Sequence, residues 1–148
     1  MTDAASPRLA FVQSMWHDDI VGRAKDGFTE IAGAHAEIEY FSVPGAFEIP
    51  LFVRNLADTG RFDGIVAAGF VVDGGVYRHE FVADAVIGGL MRVQLDTAVP
   101  VFSCVLTPQM FHEHNDHVEF FTTHMIGKGQ EVARCALATL EARAALVG

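Results

Sequence analysis

The chain carries only two cysteines among its 148 residues, Cys104 and Cys135. They fall in different segments and outside any Cys-x-x-Cys motif. That excludes a disulfide scaffold and a cysteine-based zinc site, and both read as reduced packing residues. Cations are scarce too. Ten Lys and Arg against nineteen Asp and Glu leave a net charge of -9, which argues against non-specific binding to nucleic acid or to an anionic membrane. The longest strongly apolar stretch, residues 65–72, is far short of the ~20 residues a helix needs to cross a bilayer. Residues 1–7 are short and polar, with no basic, apolar leader, so the expected compartment is the cytoplasm. There is no internal repeat, low-complexity linker or long charge block, and the length suits one domain over residues 1–148.

What the chain has in surplus is apolar residues. The hydrophobic fraction is 51%; counted with glycine and without tyrosine it is about 59%, against a usual ~45–50%. A small monomer hides such a surplus poorly, which predicts burial between subunits.

Apolar runs of strand length alternate with segments of helical period. Residues 8–13 form a strand around Leu9, Ala10, Phe11 and Val12. Residues 14–19 turn into a helix with Ile20, Ala24, Phe28 and Ile31 on one face, and Asp18 and Asp19 suit its positive start. Residues 37–43 make a second strand, stopped by Pro44 and Gly45 before a helix through Phe52, Val53 and Leu56. Pro50 is tolerable only in that helix's first turn. Residues 64–72 are apolar in both directions, as befits a central parallel strand covered on both faces. A helix over 79–97, with Val82, Val86, Leu90 and Val93 as its core stripe, leads to a strand at 101–106. Thr107 and Pro108 then open a helical segment rich in His and aromatics, Gly127 and Gly129 break it, and a last helix covers 130–145. This order predicts an α/β doubly wound parallel sheet. Such sheets bind ligands at the carboxyl ends of their strands, here residues 14–17, 43–47, 70–78 and 103–108.

Three of those ends hold candidate chemistry. The turn Asp73-Gly74-Gly75-Val76-Tyr77-Arg78-His79 offers glycines that let backbone N–H groups approach an anion, and a helix start that favours one. It is either a phosphomonoester site or a plain strand-to-helix turn. No Gly-x-Gly-x-x-Gly or Gly-x-x-x-x-Gly-Lys-Ser/Thr motif supports dinucleotide or nucleoside triphosphate binding. Arg78 and His79 would supply charge-assisted hydrogen bonds, and of the two only an imidazole suits proton transfer near neutrality. In Val43-Pro44-Gly45-Ala46-Phe47-Glu48-Ile49-Pro50, Glu48 is either a ligand for a polyhydroxy or heterocyclic molecule or a solvated carboxylate at a helix start. Trp16, the one tryptophan, is either a plane for a flat ring or a core or interface anchor.

Five of the seven histidines lie between His79 and His124, and His112, Glu113, His114 and His117 invite a metal reading. Neither His-Glu-x-x-His nor a Cys/His zinc pattern is present, which favours a solvated helix face or a His reaching an anion site in a neighbouring subunit over a metal site. Ser103 lacks the Gly-x-Ser-x-Gly elbow of a serine hydrolase.

Together these residues resemble the lumazine synthase family over residues 8–145. The most specific signal is Val-Pro-Gly-Ala-Phe-Glu-Ile-Pro at 43–50. In register with it are the aromatic after the first strand, the glycines at 74 and 75, Val-Pro-Val at 99–101, Val-Leu-Thr at 105–107 and Gly-Lys-Gly at 127–129. The resemblance implies a flavodoxin-like three-layer sandwich on a four-stranded parallel sheet, with the N-terminal segment a candidate to add to a neighbouring subunit. It implies condensation of 5-amino-6-(D-ribitylamino)uracil with (2S)-3,4-dihydroxy-2-butanone 4-phosphate to 6,7-dimethyl-8-ribityllumazine, releasing phosphate and water, as the penultimate step of riboflavin biosynthesis. No metal or organic cofactor is implied. The implied partners are the two small substrates and further copies of the chain, as a homopentamer or a decamer of two pentamers, with no nucleic acid or membrane.

Carried over by position, the resemblance puts Trp16, where the family usually has Phe, against the pyrimidine. The backbone around Ala46, Phe47 and Glu48 would hold the ribityl chain, with the Glu48 carboxylate accepting from its hydroxyls. Phe70, Val71 and Val72 would present main-chain groups to the heterocycle edge, and Gly75 and Val76 would cradle the phosphate. Ser103 takes a common Phe position beside the uracil, and His117 falls where an Arg of the adjacent subunit usually grips the phosphate.

Two departures stand out. Ungapped matching places Arg78, not His79, at the usual proton-transfer position, and a guanidinium is a poor base. Arg78 then stabilises the leaving phosphate while His79 or substrate groups move protons. The segment from His112 to His124 is also longer and richer in His than the common type. With Trp16, these features resemble the divergent second type of the family in some alphaproteobacteria, whose members resemble stacked pentamers. The alternative is a flavin- or lumazine-binding paralogue with little or no catalytic activity.

Overall fold

The computed structural model describes residues 6–72, 79–107 and 115–147, with the backbone alone at His79 and residues 115–118. Four strands and four helices alternate: β1 (Arg8–Ser14), α1 (Asp18–Ala32), β2 (Glu37–Val43), a 3-10 turn (Ala46–Glu48), α2 (Ile49–Asp58), β3 (Gly64–Phe70), α3 (His79–Thr97), β4 (Val101–Leu106) and α4 (Asn115–Val147). The strands are all parallel, in the order β2-β1-β3-β4. The expected doubly wound α/β sheet is therefore present.

Alternation along β1 divides the interior into two cores. Leu9 and Phe11 face α1 and α4, where they meet Phe28, Met125 and Ala133. Ala10 and Val12 face α2 and α3, with Ile49, Val53, Val86 and Leu90. Every residue of β3 is buried, which is why that run carries no polar alternation. The first helix begins with Asp18 and Asp19 and buries Ile20, Ala24 and Phe28, as its spacing predicts. Pro50 sits in the first turn of α2, where its missing N–H costs nothing.

Three expectations need correction. The stretch from Gly127 to Gly129 breaks nothing: α4 is one helix from Asn115 to Val147. Gly129 is there for space. A Cβ on it would overlap the carbonyl oxygen of Ala24 and stand 2.9 Å from the Phe28 nitrogen, and a Cβ on Gly27 would overlap the carbonyl oxygen of Ile126. The two helices touch backbone to backbone, and burial of Met125, Ala133 and Ala136 offsets the ~1 kcal/mol that each helical glycine costs. The third strand ends at Phe70, so Val71 and Val72 lie past the sheet. Only Cys104 is a packing residue, since Cys135 is exposed on α4. Burial pushes the Cys104 thiol up to about 12, an effect that Lys128 partly offsets.

Candidate active site at the carboxyl ends of the strands

The segment after β1 is fastened to the end of β2 by main-chain hydrogen bonds. Met15 N–H donates to Val43 O at 2.9 Å and to Pro44 O at 3.1 Å, and Trp16 N–H donates to Pro44 O at 3.1 Å. This places the indole of Trp16 directly over Gly45, where a Cβ would stand 2.8 Å from two of its ring carbons. Gly45 N–H donates to Glu48 Oε2 at 2.9 Å, and Glu48 N–H returns a bond to Gly45 O at 3.2 Å. Trp16, Gly45 and Glu48 thus form one unit, built from two segments that are separate in sequence. Trp16 and Phe47 are 66% and 64% exposed, open to a ligand or to another chain, while Ala46 is buried.

At the end of β3, Phe70 packs edge-on against His17, with ring centres 5.6 Å apart, and against Phe121 of α4 at 5.2 Å. Val71 N–H is already engaged by Leu106 O at 2.8 Å, so that residue has its carbonyl left to offer. His17 itself has φ 59 and ψ 42, in the left-handed region, and it caps the N-terminus of α1.

The remaining sequence candidates lie elsewhere. Ser103 sits in the middle of β4, opposite Ala67, exposed on the edge strand and two strands, roughly 10 Å, from β1. It does not join Trp16 and Glu48 within one chain. Instead it lines an open groove between β4 and α4 with Lys128, Glu131 and Cys135. His117 lies near the start of α4, with only its backbone described. Gly75, Val76 and Arg78 lie outside the described residues, as do His112, Glu113 and His114, and His79 opens α3. Among the described residues no group of three His, Cys, Asp or Glu side chains is placed to hold a metal ion. Nor is any helix among them long and apolar enough to cross a membrane.

Sequence reasoning passed over His17 and the role of Gly45. The Pro-Gly pair signals a turn but not the indole above it.

The matched protein family is 6,7-dimethyl-8-ribityllumazine synthase, over residues 6–144. The chain is 58% identical over 150 positions to the 6,7-dimethyl-8-ribityllumazine synthase of Rhodococcus erythropolis, covering 99% of this chain and 97% of that one. It is 55% identical to 6,7-dimethyl-8-ribityllumazine synthase 2 of Bradyrhizobium diazoefficiens, covering 93% and 84%. To the protein of that same name from Pseudomonas syringae pv. tomato it is 53% identical, covering 90% and 81%.

Proposed function

The chain belongs to the 6,7-dimethyl-8-ribityllumazine synthase family, and from that premise we propose how its residues perform the reaction. As a transferase of riboflavin biosynthesis it condenses 5-amino-6-(D-ribitylamino)uracil with 3,4-dihydroxy-2-butanone 4-phosphate. The observation that carries the assignment of roles is the Trp16–Gly45–Glu48 unit: an exposed aromatic plane beside a carboxylate with its second oxygen free of the Gly45 bond. The uracil stacks on Trp16. The ribityl hydroxyls donate to Glu48 and meet the backbone around Ala46 and Phe47, while the heterocycle edge faces the main chain of Phe70, Val71 and Val72. Gly75 and Val76 cradle the phosphate beside Arg78 and His79.

The chemistry then needs little beyond placement. The 5-amino group attacks the butanone carbonyl to form an imine, and holding both reactants in one site removes several kcal/mol from that step. Arg78 and the turn N–H groups stabilise phosphate as it leaves, and ring closure follows.

Ser103 and His117 serve the site of an adjacent copy in a pentamer, or a decamer of two pentamers, in the cytoplasm. Supporting this, Ile87, Met91 and Leu95 form an exposed apolar stripe on α3, and Phe47 and Leu51 are exposed as well, apolar surface that a lone chain would leave in water. Light scattering should give about 80 or about 160 kDa, five or ten times the 16.0 kDa of the chain. A mass near that of one chain overturns the shared site.

The function is tested by mixing the two substrates with purified protein and following lumazine fluorescence. Arg78→Ala should slow turnover and weaken the phosphate substrate more than the uracil. Unchanged steady-state constants for both refute its role.

A further inference from the structure

We propose that His17 is a further catalytic residue of this site, the imidazole that carries protons from the amino nitrogen to the departing oxygen while the imine forms. The inference rests on the reading of the chain as a lumazine-forming transferase, and it answers a gap in that reading. The residue at the family's usual proton-transfer position is Arg78, whose guanidinium does not give up a proton at working pH.

Three features single out His17. The first is its place. The strand order β2-β1-β3-β4 changes direction between β1 and β3, and the crevice outside the carboxyl ends at such a point is where open parallel sheets take their ligands. His17 lies in the short turn between β1 and α1, immediately before the helix, and its ring lies edge-on to Phe70, the last residue of β3, with centres 5.6 Å apart.

The second is its backbone. Among the described residues, His17 and Ala98 are the two non-glycine positions with positive φ. That conformation costs of order 1 kcal/mol or more and persists where surrounding contacts impose it. Here the bonds from Met15 and Trp16 to Val43 and Pro44, and from Asp18 N–H to Met15 O at 3.1 Å, hold the chain on both sides of it.

The third is the company it keeps. The reversal sends Trp16 over Gly45 at the end of β2 and His17 against Phe70 at the end of β3, so the stacking plane and an imidazole flank one strand end. The neighbouring carboxylate already accepts a bond from Gly45. An imidazole can take a proton and return it from the same ring.

The step balances as two transfers. In addition, the amine lone pair forms the C–N bond, the carbonyl π pair moves to oxygen, and His17 passes one N–H proton to that oxygen. In dehydration the C–O pair leaves with the hydroxyl, the second N–H proton reaches it through His17, and the nitrogen pair closes the C=N bond. Water is the only product besides the imine.

Glycine adopts φ near 59 without penalty, so His17→Gly removes the imidazole without straining the backbone. With both substrates supplied to the full-length protein, kcat should fall about 100-fold, with each KM changed less than about threefold and a cooperative melting transition retained. Added imidazole should restore at least about tenfold of the loss. His17→Asn, which also suits the left-handed region but carries no mobile proton pair, should stay as slow as the glycine variant. Variant kcat within about threefold of the parent overturns the proposal. So does a loss in folded protein that imidazole does not restore, or full activity in His17→Asn. A parent protein that forms no lumazine overturns the functional reading and the role of His17 with it, whereas an active parent with an equally active variant overturns His17 alone.

Discussion

Replacing Gly129 by alanine tests whether the contact between α1 and α4 sets the fold's tolerance at its long helix. The added Cβ would overlap the Ala24 carbonyl oxygen and stand 2.9 Å from both the Ala24 carbonyl carbon and the Phe28 nitrogen. All three atoms are main chain of α1, so no side chain can swing aside. Carbon and nitrogen normally sit about 3.5–4.0 Å apart in packed interiors, so the helices must separate by of order 1 Å. That separation loosens Phe28, Met125 and Ala133, each wholly buried. Overpacking against flexible neighbours costs about 1–3 kcal/mol; against rigid backbone the upper figure applies. Alanine's better helix propensity returns about 1 kcal/mol. The net loss of ~2 kcal/mol lowers the melting temperature by roughly 4–8 °C for a domain of this size. Gly127, two residues earlier, has nothing among the described residues within 4 Å of its would-be Cβ, so Gly127→Ala should gain about 0.5–1 kcal/mol. Calorimetry of the two variants at one protein concentration separates the effects, because any dependence on assembly is then shared. A Gly129→Ala protein that melts at or above the parent, or two variants that shift alike, refutes the close approach.

Further predictions follow from single atoms. Ser14 is buried at the end of β1 and its hydroxyl has no partner among the described residues, so Ser14→Ala should raise stability by about 1 kcal/mol in a denaturant titration; a loss of that size would mean the hydroxyl is bonded. Gly45→Ala should push the Trp16 ring off its seat while leaving the fold intact, since the extended backbone there suits any residue and the indole is exposed. Lost stacking of about 0.5–1.5 kcal/mol then weakens the uracil substrate about 2- to 12-fold, and unchanged affinity in calorimetric titration counts against the platform. For Cys104, burial raises the thiol to about 12 from 9.0. The unfolded chain ionises first, so stability is complete below pH 9 and declines between about pH 9 and 12, by up to ~1.4 kcal/mol per pH unit. At pH 8 a thiol reagent should therefore label Cys135 quickly and Cys104 only on unfolding; rapid labelling of both refutes the burial argument.

How much of this was legible in the sequence depends on whether the cause of each feature is local. The strands were legible because a run such as Gly64 to Phe70, buried throughout, carries no polar residue to confuse its period. The start of α1 was legible because Asp18 and Asp19 answer a field made by their own helix. Gly127 and Gly129 misled because a glycine signals conformational freedom and close packing with the same letter. What decides between them at Gly129 is the Ala24 carbonyl, on a helix formed near the other end of the chain. The site divides the same way. Trp16 and Glu48 each stood out alone, yet what joins them is the set of three bonds from Met15 and Trp16 to Val43 and Pro44, a consequence of β2 lying beside β1. Ser103 shows the converse. Its position along the chain suited a strand end, but the order β2-β1-β3-β4 sets it on the outer strand, on the far side of β3 from Trp16. A one-dimensional match can say that two residues serve the same reaction; only strand order can say whether one chain is able to bring them together, and here it sets Ser103 on the outer strand, apart from Trp16.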